Sequence, residues 1–135
     1  MQTAGSDRKA VSKPLWVNAE ITYKCPLHCV FCYNPVDYAK YGPELTTEEW
    51  LRVFGEARKL GAVQLGISGG EPLMRDDVET MVAETSKMGY YVNLITSGVG
   101  LTEKRIAAFK EGGLGQIQLS FQDSTLGIQQ ITASN

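Results

Sequence analysis

Four short apolar stretches, each followed by a segment of helical periodicity or by the chain's end, restrict this fold more than any other feature. "LWVNAEIT" (residues 15–22), "AVQLGIS" (62–68), "YYVNLIT" (90–96) and "QIQLSF" (116–121) are rich in β-branched and aromatic residues and read as strands. Between them the period changes. "ELTTEEWLRVFGEARKLG" predicts a helix, with Thr46 as N-cap and Glu49 three residues on as its capping-box partner. Trp50, Val53, Phe54, Ala57 and Leu60 recur at helical spacing and predict its buried face, and Gly61 sits where a C-cap glycine belongs. Asp76, with Glu79 behind it and Gly89 at the end, predicts a second helix. Thr102 predicts the cap of a third, which runs through Lys110 and closes at Gly112 or Gly113.

Strands alternating with helices of this length imply right-handed βαβ units and a parallel α/β sheet. No solenoid-type repeat is present. A closed (β/α)₈ barrel needs about 250 residues, whereas this chain has 135. The expectation is the first half of a barrel. Residues 1–13 form a polar, flexible lead-in, residues 14–123 hold the first four βα units, and residues 124–135 are a truncated end. An open sheet edge would follow, which is a liability unless something covers it.

Composition excludes several classes. Thirteen Lys and Arg stand against fifteen Asp and Glu, for a net charge of −2, so no basic nucleic-acid surface is expected. No apolar run approaches the roughly 18–20 residues that a membrane helix needs. "MQTAGSDRKAVSK" has no apolar signal-peptide core, so a cytoplasmic location with reduced thiols is expected.

"CPLHCVFC" (25–32) contains all three cysteines and the single histidine of the chain. An odd number of cysteines leaves a complete disulfide framework impossible. Three thiolates in one short loop can instead share a metal centre. A structural zinc site needs four protein ligands. His28 lies between two of the cysteines, where it reads as a solvent-facing loop residue, and no second CxxC follows. An iron–sulfur cluster is held by thiolates, and three of them on a four-iron cluster leave one iron open for a substrate or cofactor. Cys25, Cys29 and Cys32 thus point to a cluster, with zinc as the alternative.

The C-x3-C-x2-C loop, with Phe31 just before its third cysteine and the first strand just before the loop, resembles the cluster loop of the radical S-adenosylmethionine (SAM) enzymes. "SGGEP" (68–72) resembles that family's GGE motif, while "TSG" (96–98) and "LSFQ" (119–122) follow in the family's order. Within the family, "CYNPVDYAKYGPELTTEEW" and "NLITSGVG" are similar to the peptide cyclases of pyrroloquinoline quinone biosynthesis.

The resemblance implies a partial (β/α)6 barrel whose Cys25, Cys29 and Cys32 ligate a [4Fe–4S] cluster. The open iron would chelate S-adenosyl-L-methionine, and one electron would cleave it to a 5′-deoxyadenosyl radical that abstracts a substrate hydrogen. Gly69 and Gly70 would let backbone approach the cofactor, and Glu71 would accept from its amino group unless it caps the next helix instead. Phe31 would lie beside the adenine. Thr96, Ser120 and Gln122 would hold carboxylate and ribose, although many relatives carry Asp where Gln122 stands. Asn93 is a polar residue within an apolar strand, and Tyr33, Tyr38 and Tyr41 could line a peptide channel or simply pack. The implied parent reaction joins a Glu and a Tyr of a precursor peptide brought by a carrier protein. The alternatives are another peptide-modifying member, a metal-binding module, or an inactive truncated product.

Overall fold

The computed structural model describes residues 12–29, 31–34 and 37–121. Gln122 and the expected end segment 124–135 lie outside the described residues, as does most of the expected lead-in. Four parallel strands, β1 (Trp16–Glu20), β2 (Gln64–Ser68), β3 (Tyr91–Thr96) and β4 (Gln116–Leu119), pair in chain order. Helices α1 (Thr47–Leu60), α2 (Val78–Lys87) and α3 (Glu103–Glu111) connect them. The architecture is that of a parallel α/β sheet, as the alternation implies. Among the described residues no helix is long and apolar enough to cross a membrane.

Register gives the sheet two unlike faces. In a strand, successive side chains point to opposite faces. One rung joins Ala19, Ile67, Leu94 and Ile117; Ala19, Ile67 and Leu94 are buried in one core with Phe54 of α1, Met81 and Val82 of α2, and Phe109 of α3. The next rung joins Asn18, Gly66, Asn93 and Gln116 on the opposite face. Asn93 therefore faces away from the helices, and among the described residues its Oδ1 is buried without a partner.

The helix ends follow local signals closely, with two departures. Thr46 caps α1 through the full capping box with Glu49, and Gly61 closes it with φ +115°. The buried face of α1 is Trp50, Leu51, Phe54 and Ala57, whereas Val53 and Leu60 are 37% and 61% exposed. At 3.6 residues per turn, Val53 and Leu60 lie roughly 100° and 120° around the helix from Phe54, beyond the covered arc. Arg58 takes the opposite flank, where its Nε donates to Met88 O at 3.0 Å and its guanidinium stands over the Tyr90 ring.

The second departure concerns α2. Its N-cap is Asp77 rather than Asp76, and no side chain caps it. The Asp77 carboxylate is held by Arg75 and Thr47, while Glu79 pairs with Arg105 of α3. Asp77 is recruited by neighbouring Arg75 and distant Thr47, and Glu79 by distant Arg105. Gly89 ends the helix with φ +91°. In α3, Thr102 accepts from Arg105 N and Gly112 is the C-cap.

A candidate cofactor site at the carboxyl ends of the strands

The loops leaving the four strands converge, as ligand sites in parallel α/β sheets do. One cavity of about 560 Å³ is bounded by the cysteine loop after β1, Ser68–Gly70 after β2, Thr96 and Ser97 after β3, and Ser120 after β4. Cys25, Cys29, Phe31 and Cys32 all line it.

The cysteine loop is short and turned on itself, with Cys32 N donating to Cys29 O at 3.0 Å. Burial pushes the Cys25 thiol above its ordinary pKa; a backbone hydrogen bond at Leu27 offsets part of this, and the charges of Glu71, Cys29 and Cys32 add to it. Burial, and then Cys32, also push Cys29 up. Three thiols in one short loop are a donor set suited to cationic metal, whose binding expels their protons. Among the described residues no three His, Cys, Asp or Glu side chains are gathered as one metal ion requires. Thiolates are the donor type by which iron–sulfur clusters are held. His28 is exposed at the rim.

The two glycines after β2 are required by backbone packing. A Cβ on Gly70 would sit 2.5 Å from Lys24 O and 2.7 Å from Tyr23 O, and one on Gly69 would collide with Thr22 O. This close approach allows Gly70 N to donate to Thr22 O (2.7 Å) and Glu71 N to Lys24 O (2.8 Å). The SGGEP turn is thereby fastened to the base of the cysteine loop. Asn34 adds a bond from its Nδ2 to Gly69 O at 3.3 Å.

Glu71 is fully buried. Its Oε1 accepts from Thr96 Oγ1 (2.6 Å) and Leu73 N (3.0 Å), and its Oε2 accepts from Ser97 Oγ (2.6 Å) and Ser97 N (2.9 Å). It thus caps the 3₁₀ turn Pro72–Met74 and also grips the loop after β3. Thr96 is almost wholly buried, and its hydroxyl also accepts from Gly98 N at 3.0 Å. Ser120 is half-buried at the cavity wall and its N donates to Thr96 O. Phe31 and Tyr33 are exposed, and the Tyr33 hydroxyl donates to Glu20 at 2.9 Å. Tyr41 lies beside Tyr23, with ring centroids 5.9 Å apart.

Sequence reasoning passed over the residues that hold these loops together. Glu44 accepts from Thr22 Oγ1 (2.7 Å) and Tyr23 N (3.0 Å), and stands 3.6 Å from Arg75. Arg75 in turn donates to Ile21 O and Leu45 O. Arg105 donates to Leu73 O and Arg75 O. Ser97 lies within the quoted TSG, and an acid-plus-hydroxyl pairing with SGGEP could have identified it.

The family model described as "Radical SAM superfamily" matches residues 19–133. Among solved structures, Streptococcus suis SuiB bound to precursor peptide SuiA superposes with a TM-score of 0.75 at 17% identity, over 90% of this chain and 27% of that one. SuiB bound to S-adenosylmethionine gives 0.74 at 19% identity, over 88% and 28%. BtrN in complex with AdoMet and 2-DOIA gives 0.67 at 21% identity, over 83% and 47%. The chain thus spans between about a quarter and a half of the length of these structures, and shares their fold.

Proposed function

The chain belongs to the radical SAM superfamily, and we propose on that footing that it is the cofactor-binding part of an enzyme that reductively cleaves S-adenosylmethionine to modify a peptide. The observation that carries the reading is the joining of three thiols, the SGGEP turn and the TSG turn around one cavity. Members of the family use a [4Fe–4S] cluster and SAM.

In this reading Cys25, Cys29 and Cys32 hold the cluster through three of its irons. When bound, the pair supplies one-electron cleavage of the sulfonium C5′–S bond and, through it, hydrogen abstraction from substrate. The chain's own part is to bind, orient and exclude water. Gly69 and Gly70 fix the turn against the cysteine loop, so the wall of the pocket and its thiols move as one piece. Phe31 offers an apolar ring for the adenine. Ser120 offers a hydroxyl at the cavity wall and with Gln122 would supply the polar contacts to carboxylate and ribose, since the Thr96 hydroxyl is engaged by Glu71 and Gly98 N.

A peptide substrate agrees with the precursor peptide bound to SuiB. The finer reading is oxidative cross-linking of a Glu and a Tyr in a precursor peptide presented by a carrier protein, in the cytoplasm. It rests on "CYNPVDYAKYGPELTTEEW" and "NLITSGVG".

The test is anaerobic reconstitution with iron and sulfide, reduction, addition of SAM and assay of 5′-deoxyadenosine. A Cys25→Ala, Cys29→Ala, Cys32→Ala chain is the control. Product that requires the cysteines supports the reading. Tight zinc with no cluster sinks it in favour of a metal-binding module.

A further inference from the structure

Among the described residues Glu71 is the one charged side chain that is fully buried. A carboxylate taken out of water is costly unless its oxygens are hydrogen-bonded. It has about four lone-pair sites. Here all are used from within the chain, by Leu73 N, Thr96 Oγ1, Ser97 N and Ser97 Oγ. No acceptor site remains for the ammonium group of a ligand.

The carboxylate also fixes a relay. Because both hydroxyl protons are directed to Glu71, the hydroxyl oxygens are left as acceptors. Thr96 Oγ1 accepts from Gly98 N at 3.0 Å, and Ser97 Oγ accepts from Val99 N at 3.3 Å. One acid thus orders the backbone from Ser97 to Val99 and ties it to the turn after β2. Thr96 shares the helix-facing side of β3 with Val92 and Leu94, which is why its hydroxyl meets the buried acid.

We propose that Glu71 is a positioning residue, which acts on the cofactor pocket only through the Thr96–Val99 turn and makes no contact with the ligand's amino group. The ligand part of this rests on the SAM reading above; the turn-holding part does not.

Amide hydrogen exchange on the ligand-free 135-residue chain tests the second part. Glu71→Gln removes the charge and replaces one of the two oxygens by an amide donor that faces two of the four donors. A hydrogen bond to a charged group is strong enough that its loss should speed exchange about tenfold or more. The amides of Ser97, Gly98 and Val99 should show this, while those of Leu65 and Leu94 in the strands stay unchanged. Unchanged exchange at Ser97–Val99 overturns the proposal. Should that variant fail to fold, the parent chain supplies the measurement. Two hydroxyl protons donated to a buried acid should appear as slowly exchanging resonances from Thr96 and Ser97, and their absence overturns the proposal equally.

Equilibrium dialysis with SAM and with 5′-methylthioadenosine, which lacks the amino acid moiety, tests the ligand part. Glu71→Gln should weaken both by a similar factor. A loss confined to SAM means direct contact with the amino group and overturns the proposal. Failure of the parent chain to bind either ligand counts against the SAM reading and leaves the exchange result to decide the role of Glu71.

Discussion

Replacing Gly70 by Ala should cost this chain a large part of its stability, and the cost can be worked from backbone positions. The added Cβ would stand 2.5 Å from Lys24 O, 2.7 Å from Tyr23 O and 2.9 Å from the Lys24 carbonyl carbon. All three atoms are backbone, so no side chain can swing aside. Real Cβ atoms essentially never approach closer than 3.0 Å, so the two segments must part by at least half an ångström. Overpacking of this kind costs about 1–3 kcal/mol. Parting the segments also weakens Gly70 N to Thr22 O and Glu71 N to Lys24 O, each contributing about 0.5–1.5 kcal/mol. The combined loss is about 2–6 kcal/mol, which for a chain of this size lowers the melting temperature by on the order of 10–20 °C. Gly55→Ala is the matched control, since its Cβ on α1 would meet nothing within 4 Å. It should raise stability by about 0.5–1 kcal/mol. Thermal melts followed by circular dichroism measure both. A Gly70→Ala chain that melts with the parent would refute the argument that these glycines serve backbone packing. The displacement is delivered to Tyr23–Lys24, immediately before Cys25, so iron uptake on reconstitution should fall as well.

Two further outcomes follow from the same network. The Arg75 guanidinium, donating to Asp77 at 2.6 and 2.8 Å, holds the Asp77 carboxyl below the usual carboxylate range; Thr47 adds to this, against an opposing effect of burial. A depressed folded pKa means that the folded state resists protonation there. Its stabilising contribution is complete above about pH 4 and is lost as pH falls through the lowered folded value. Urea midpoints across that acid window should fall less steeply for Asp77→Asn than for the parent, and parallel curves would count against the ion pair. Tyr90→Phe removes the buried donor to Phe54 O at 2.7 Å and should cost about 1 kcal/mol by urea denaturation; a neutral result would mean that water replaces the hydroxyl.

What could be read from the sequence was what short-range chemistry decides. Thr46 and Glu49 are three residues apart and satisfy each other, so the start of α1 is legible from seven letters. Gly61 and Gly89 take the positive φ that their positions after helices suggest. The choice of Asp77 over Asp76 was not legible, because the Asp77 carboxylate makes no capping bond and is held instead by Arg75 and by Thr47, thirty residues away. Nor was the use of Gly70, since the atoms it must clear belong to Tyr23 and Lys24. Spacing alone singled out the cysteines as a candidate metal-binding set, whereas Glu71 needed Thr96 and Ser97 beside it before its carboxylate could be seen to be occupied.

The alternation of the strands carries one more step. Parallel strands covered on both faces read as continuous apolar runs. Here Asn18, Asn93, Gln116 and Gln118 interrupt the apolar residues at every second position, and register brings Asn18, Gly66, Asn93 and Gln116 into a single rung. Close-packed barrels fill their interiors with branched aliphatic side chains. A face lined with amides instead suits polar contents. That face leads into the cofactor cavity, because Ser68 and Ile95 belong to it by register and also line the cavity wall with Ser120. Among the described residues the buried Oδ1 of Asn93, on that same face, has no partner. A buried amide oxygen left unpaired is costly, so this position favours a hydrogen-bond donor, from water, protein or ligand, on that side of the sheet.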